Sequence, residues 1–409
     1  MNRFPTRVLI LFSILLVACE NDAFITNLDH TSLTTHEVST TSFRFKTYQV
    51  PPTLGGVHSI YIGKKEEIDA SQTLVEFESH EILRWANIVI DSGHFQFTLD
   101  TNYTGLVPEV SSITMGYFRR DSNYAELESN YSNVDWIVDD YPKLSSHFVT
   151  DSTGLTHLRF PVDSATVETL ADTAEGSWLY VLESPETADY MLQFYASESP
   201  VYQPLFRTFL HSNSSDSDTS EAKDSVRVFT GRSDVTLFIP PDLSSGQFDS
   251  SFSYLGVATG LVTVFKPDLG VLAIPEEATI GRAKLSLPFD VENSSTVSLD
   301  SLYFQAYALE DSVLDWKWGE VLTADSYEHH TATFARSSSA APVGSILKLD
   351  VTELLQSIIS GRDDNGAEIL NVGIKLKMIN SATVFDFAAM RTDSSASGQP
   401  LLEVFYEVP

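Results

Sequence analysis

The chain has 409 residues, with 25 Lys and Arg against 56 Asp and Glu, a formal charge of −31. A field of that sign repels nucleic acid and anionic lipid headgroups, and it disfavours strongly anionic polysaccharides unless cations bridge. Hydrophobic residues at 43% and aromatics at 11% are enough for folded cores, and the length suits two or three domains.

At the start of the chain, Arg3 and Arg7 precede an apolar run from Val8 to Val17, followed by Ala18 and the single cysteine, Cys19. The run is shorter than the roughly 20 residues a spanning helix needs. Its basic flank and the small residue after it predict an export signal over residues 1–18. Leu16-Val17-Ala18-Cys19 resembles the lipobox of bacterial lipoproteins. That resemblance implies acylation of Cys19, which becomes the new N-terminus, and attachment to a bilayer in the bacterial cell envelope, at the outer membrane or cell surface. Acylation leaves no thiol for a disulfide, a metal or catalysis. Residues 19–41 are polar and without sustained period, which predicts a flexible tether.

The body carries an internal repeat. Tyr61-Ile62-Gly63 matches Tyr254-Leu255-Gly256, and the segment opening at Ile90 matches the one opening at Ile280. Leu158-Arg159-Phe160-Pro161-Val162 matches Leu347-Lys348-Leu349-Asp350-Val351, and Gln203-Pro204-Leu205-Phe206 matches Gln399-Pro400-Leu401-Leu402. The matches keep their order at offsets between 189 and 196. The stretch from Ser212 to Glu221 holds no apolar residue and reads as a linker over 212–225, which places two domains at 42–211 and 226–409.

Within each copy the period is two. Phe95, Phe97 and Leu99 alternate with polar residues, as do Leu285 and Leu287, and Leu402, Val404 and Tyr406 recur at every second position. This predicts strands with one buried face, separated by short turns, as in an antiparallel sandwich. One short helix is expected in each copy. In the second it covers Val351 to Ile359, with Leu354, Leu355, Ile358 and Ile359 on one face, Asp350 or Thr352 at its start and Gly361 at its end. In the first, Ser164 to Ala171 is the equivalent, with Val167 and Leu170 inward.

Leu272-Ala273-Ile274-Pro275, continuing to Leu287, is similar to the strand–turn–strand signature of bacterial DNRLRE domains, which are related to a family of carbohydrate-binding modules. The similarity runs on through Asp315-Trp316-Lys317-Trp318-Gly319-Glu320, Leu349-Asp350-Val351-Thr352 and Gln399-Pro400-Leu401-Leu402-Glu403-Val404. It covers about 160 residues of the second copy. The first copy keeps the Ile90 strand, Asp135-Trp136 and the Gln203-Pro204-Leu205 ending, but its Trp has no matching acid. The resemblance implies an all-β fold, two tandem jelly-roll β-sandwiches each with one short helix, and a polysaccharide ligand.

No catalytic motif is present: Gly-x-Ser-x-Gly, His-Glu-x-x-His and Gly-x-x-x-x-Gly-Lys-Ser/Thr are all missing. A non-catalytic protein is therefore expected. His329-His330 are adjacent and on a strand would point to opposite faces, which does not suit one metal. Asp139-Asp140 and Asp363-Asp364-Asn365 offer oxygen ligands for Ca²⁺, but neither has an EF-hand spacing, and exposed acidic turns are the usual explanation for such pairs. Sugars stack on aromatic rings, with polar neighbours bonding the hydroxyls. The aromatic candidates are Trp136 with Tyr131 and Tyr141, and Trp318 with Trp316; core packing is the competing role for each. Two functions remain open: an envelope lipoprotein binding neutral or weakly charged polysaccharide, or a structural or adhesive surface protein whose sandwiches serve as spacers or protein-interaction modules.

Overall fold

The computed structural model describes residues 34–408 except 66–67, 79, 81–82, 84–87, 102, 104, 106, 109–111, 121–124, 135–136, 138–139, 173–175, 213–223, 244–247, 296–301, 310–319, 322–330, 342–345, 363–372, 380–386 and 393–397. Two strands come first, β1 (Thr34–Thr40) and β2 (Phe43–Gln49). The first half then supplies β3 (Ser59–Lys65), β4 (Ile68–Phe77), β5 (Ile88–Thr98), β6 (Thr114–Arg120), β7 (Lys143–Ser145), β8 (His147–Thr150) and β9 (Thr156–Asp163). Helix α1 (Ser164–Ala171), β10 (Ser177–Glu183), β11 (Tyr190–Tyr195) and β12 (Leu205–Ser212) follow. The second half runs from β13 (Asp224–Ile239) through β14 (Phe252–Gly256), β15 (Leu261–Pro267), helix α2 (Leu269–Leu272), β16 (Thr279–Ser295) and β17 (Leu302–Leu309). It ends with β18 (Glu320–Val321), β19 (Thr331–Ala341), β20 (Ile346–Asp350), helix α3 (Thr352–Ser360), β21 (Ile374–Ile379), β22 (Phe387–Arg391) and β23 (Leu401–Val408). The expected all-β sandwich architecture is what the chain adopts.

The strands form two hydrogen-bonded networks, one ordered β7-β6-β10-β4-β13-β12-β5-β9-β8 and the other β1-β23-β16-β22-β14-β15-β21-β17-β19. In each, one long strand serves both layers. Residues 224–230 of β13 pair with β12, and after a register shift at Gly231 the rest pairs with β4. Strand β16 pairs with β20 and β23 over its first part and with β22 over its last. An irregularity that bends a strand lets it pass from one layer to the other, so the network folds over its own apolar face.

The repeat offsets are matched by the pairing. In the first half Phe95 lies opposite both Phe160 and Phe206; in the second Leu285 lies opposite both Leu349 and Leu402. The first core gathers Phe95, Phe97, Phe160, Phe194 and Phe206, and the second gathers Leu285, Leu287, Leu349, Leu355 and Leu402. Helix α1 starts under the Asp163 carboxylate, which accepts from Thr166 N at 2.8 Å, and buries Val167 and Leu170. Helix α3 buries Leu354, Leu355 and Ile358 and ends at Gly361, whose φ of 65° is left-handed. Its cap differs from expectation: Val351 holds the N-cap position, while Asp350 accepts from Thr352 N and the Thr352 hydroxyl accepts from Ala283 N. The second half also has the extra four-residue α2.

Two boundaries move. Residues 34–40, expected within the tether, are β1 and pair with β23, Thr34 opposite Val408 through Thr40 opposite Leu402. The linker expected over 212–225 begins on the last residue of β12 and ends inside β13, and those strands pair with each other. Residues 213–223 themselves lie outside the described residues, as do the signal over 1–18 and Cys19. The first sandwich is therefore continuous over 59–239. The second is closed by residues 34–49 from the start of the body. A polar, one-sided edge strand looks like a tether in sequence because only its inward positions need be apolar.

Candidate functional site

Of the aromatic candidates, Tyr131 and Tyr141 are described; Trp136, Trp316 and Trp318 lie outside the described residues. The segment carrying Tyr131 and Tyr141 lies against the outer face of β4, β10 and β13, where Val134 joins Leu74, Leu179, Val181, Val235 and Leu237 in a second small core. Tyr141 is 7% exposed, stacks on Phe118 at 5.7 Å and donates its hydroxyl to Glu183 Oε1 at 2.7 Å. Its ring lies where a Cβ on residue 116 would be, 2.0 Å away, so Gly116 is what lets it seat. Lys143 Nζ completes the group, 2.6 Å from Glu183 and 5.2 Å from the Tyr141 ring. The arrangement spends Tyr141 on packing, and Tyr131 packs half-buried against the same cluster. The end of the 315–320 segment is described as backbone: Glu320 and Val321 form β18, parallel to β2 at Tyr48 and Gln49.

The acidic pairs read as oxygen donors, Asp139-Asp140 and Asp363-Asp364-Asn365, are outside the described residues apart from Asp140, which is exposed. A different carboxylate group is brought together by the fold. Glu126, Glu198 and Asp234 each offer an oxygen, and these atoms lie within 4.8 Å of one another. Glu126 comes from the turn that crosses Gly55 and Gly56, Glu198 from the loop after β11, and Asp234 from the middle of β13. Asp234 is 1% exposed; it accepts from Ser197 N at 2.6 Å, and its own amide donates to Glu126 Oε1 at 3.0 Å. Burial, reinforced by the neighbouring carboxylates, pushes Asp234 up to about 8 and raises Glu126 as well. Burial thus favours the protonated form of this group, while three ionised carboxylates so placed would suit a hard cation such as Ca²⁺. No spacing signal marks these residues in the sequence. The one local hint is an acid, Asp234, directly before Val235-Thr236-Leu237-Phe238-Ile239, a run whose residues 235–238 are buried on both faces.

Two buried histidines have hydrogen-bonded neighbours that bear on chemistry. Thr98 Oγ1 lies 3.1 Å from His157 Nδ1, and His157 Nε2 lies 3.1 Å from Asp151 Oδ2. The order of groups is that of a nucleophile, base and acid, but Thr98 is 3% and His157 5% exposed, so the hydroxyl is closed off from a substrate. Asp151 meanwhile accepts from Thr153 N and Leu155 N, which fixes the β8–β9 turn. His80, 2% exposed among Phe206, Phe229 and Tyr180, is pushed down to about 3 by burial and stays neutral.

On the outer face of the β12–β13 pair three apolar side chains are open to water, beside Arg207, which lies opposite Val228. Phe209 is 38% exposed, Val226 opposite it 52%, and Val228 49%. In comparisons with known proteins, no family model, no curated protein and no solved structure matches the chain.

Proposed function

We propose that this chain is a non-catalytic envelope lipoprotein, held at a bilayer by acylated Cys19, whose β-sandwich body serves as a structural or adhesive element. The observation that carries the reading is the exposure of Phe209, Val226 and Val228 on the outer face of the β12–β13 pair, beside Arg207, a mixed surface suited to contact with another protein. The closure of the second sandwich by β1 supports a mechanical role, because the tether reaches the body through that strand. Binding of neutral polysaccharide is the second reading. It draws on the resemblance of the second copy to DNRLRE and carbohydrate-binding modules, and on the segment 315–320, whose end runs beside β2.

A glycan array on the detergent-solubilised full chain separates the two readings. No binding to any glycan is expected; binding lost in Trp318→Ala or Trp136→Ala with the melting temperature unchanged would put the polysaccharide reading ahead. Cys19→Ser should leave the protein uncleaved or released from membranes. Maturation and detergent partitioning like wild type would remove the anchor from the proposal.

A further inference from the structure

The segment that opens the body and the segment that opens the second half are copies of each other. Thr47-Tyr48-Gln49-Val50-Pro51-Pro52 aligns with Thr236-Leu237-Phe238-Ile239-Pro240-Pro241 at an offset of 189, at the edge of the range that relates the rest of the repeat. Both stand at the same place in the order of strands: β1 and β2 precede β3 as β13 precedes β14, and β3 and β14 carry the matched Tyr61-Ile62-Gly63 and Tyr254-Leu255-Gly256. Yet β1 and β2 pair with β23 and β15, while the two parts of β13 pair with β12 and β4. Because β12 corresponds to β23 and β4 to β15, the slots are equivalent and the occupants are reversed.

A side-chain network repeats the equivalence atom by atom. In the second sandwich Tyr254 N donates to Thr47 Oγ1 at 3.0 Å, Thr263 Oγ1 donates to Tyr254 O at 2.9 Å, and the two hydroxyls lie 3.3 Å apart. In the first, Tyr61 N donates to Thr236 Oγ1 at 2.9 Å, Thr73 Oγ1 donates to Tyr61 O at 2.5 Å, and the hydroxyls lie 3.4 Å apart. All four threonines are buried. Thr47 does in the second sandwich what Thr236 does in the first.

One position distinguishes the strands. The offset that aligns the threonines sets Phe45 against Asp234. Phe45 lies opposite Phe265, their centroids 5.8 Å apart, and packs on Phe43 at 5.6 Å. Asp234 lies opposite Val75, with its carboxyl on Ser197 N. In the other slot Asp234 would stand beside the Phe265 ring, away from the Ser197 amide, and a buried carboxyl without a donor is strongly disfavoured. Phe45 in the first slot would leave the Ser197 amide facing a ring.

We infer that the two repeats have exchanged their opening strands, each sandwich accepting the strand of the other half, and that Asp234 and Phe45 decide which slot each strand enters. The partner recognised by each slot is a β-strand of the repeat pattern, and the two halves of the chain are one another's partners.

Disulfide trapping in the full chain carrying Cys19→Ser tests this. Ser39 lies opposite Glu403. Its repeat equivalent, Val228, lies opposite Arg207. Antiparallel partners stand at a Cα separation a disulfide can bridge. Ser39→Cys with Glu403→Cys should therefore link in the exchanged fold, and Ser39→Cys with Arg207→Cys only if each repeat keeps its own strand. After cleavage within 213–223 and denaturation without reductant, the 39/403 variant is expected to run as one species; positions 39 and 207 share a fragment, so the 39/207 link is read by thiol alkylation, and both of its cysteines are expected to be free. Separation of the 39/403 variant into two fragments together with blocked thiols in the 39/207 variant, or a 39/403 link joining two chains, overturns the exchange. Adding Phe45→Asp with Asp234→Phe should reverse the ratio of the two links. Should that variant not fold, Asp234→Val alone should make the 39/207 link detectable, and its absence from a folded Asp234→Val chain removes Asp234 from the assignment.

Discussion

The two sandwiches share a strand plan and differ in what fills it. Where the first stacks Phe95 on Phe206 at 4.2 Å, the second sets Leu285 opposite Leu402. Phe77, Phe97 and Tyr180 extend the first into a ring cluster, with Phe77 5.2 Å from Tyr180 and 6.2 Å from Phe97. The second is lined by Leu287, Leu347, Leu349 and Leu354. The pairing and the inward alternation are common to both; ring or branched chain is a local matter of volume. A core keeps its plan as long as inward positions stay apolar and the total volume suits the space.

Truncation sharpens that comparison most. Phe95→Ala should lower stability by about 3–5 kcal/mol and Leu285→Ala by about 2–5 kcal/mol, read from denaturant titrations. Because each sandwich contains a strand of the other half, both variants should still unfold in one transition. Two resolved transitions would break the interlaced picture. For the same reason, a protease cut within 213–223 should leave both fragments together on a sizing column and release them only in denaturant. Prompt separation under native conditions would argue that β13 is not held by β4 and β12.

Removing the equivalent hydroxyls asks whether the slots are energetically alike. Thr47→Val and Thr236→Val should each cost about 1–3 kcal/mol, since each leaves a buried tyrosine amide without its acceptor. Unequal losses would show that one strand is held more tightly.

The slots should differ in their response to pH. The Asp234 carboxyl, carried up to about 8 by burial, binds its proton more tightly folded than unfolded, where about 3.9 is usual. Its contribution is therefore complete below about pH 4 and is lost as pH rises through 8. Melts of wild type and Asp234→Asn across pH 4–9 should show the variant with the shallower decline, while Phe45 gives the second slot no such dependence. A parallel decline in both proteins would mean that Asp234 already titrates normally. The smallest effect expected is in Tyr141→Phe, a loss of about 1 kcal/mol for the bond to Glu183.

Alternation and offset were enough to read strands, both longer helices and the repeat, because burial on one face leaves a period in the sequence. Pairing leaves none. Thr34–Thr40 reads as tether since its exposed face carries Thr35, Glu37 and Ser39, while only Val38 and Thr40 turn inward. The Thr-x-x-x-Pro-Pro echo at 47–52 and 236–241 was the available sign that the opening strands belong to the repeat. At the candidate site, an aromatic such as Tyr141 is visible as a residue type, but its burial depends on Gly116 and Glu183, distant in sequence. The Glu126, Glu198 and Asp234 group is assembled from three separate segments and has no spacing to read.

The register that sets Thr34 opposite Val408 makes the body a two-membered ring with a single break. Strands β12 and β13 are joined across one hairpin; β23 and β1 form the same pair with the connection absent. Joining 408 to 34 through about a dozen flexible residues, and opening the chain within 213–223, should give a circular permutant with the same pairings and the break moved to the opposite seam. In the natural order the chain enters the body at the seam itself, so under the proposed anchoring through Cys19 a pull from the membrane would load the β1–β23 pair first.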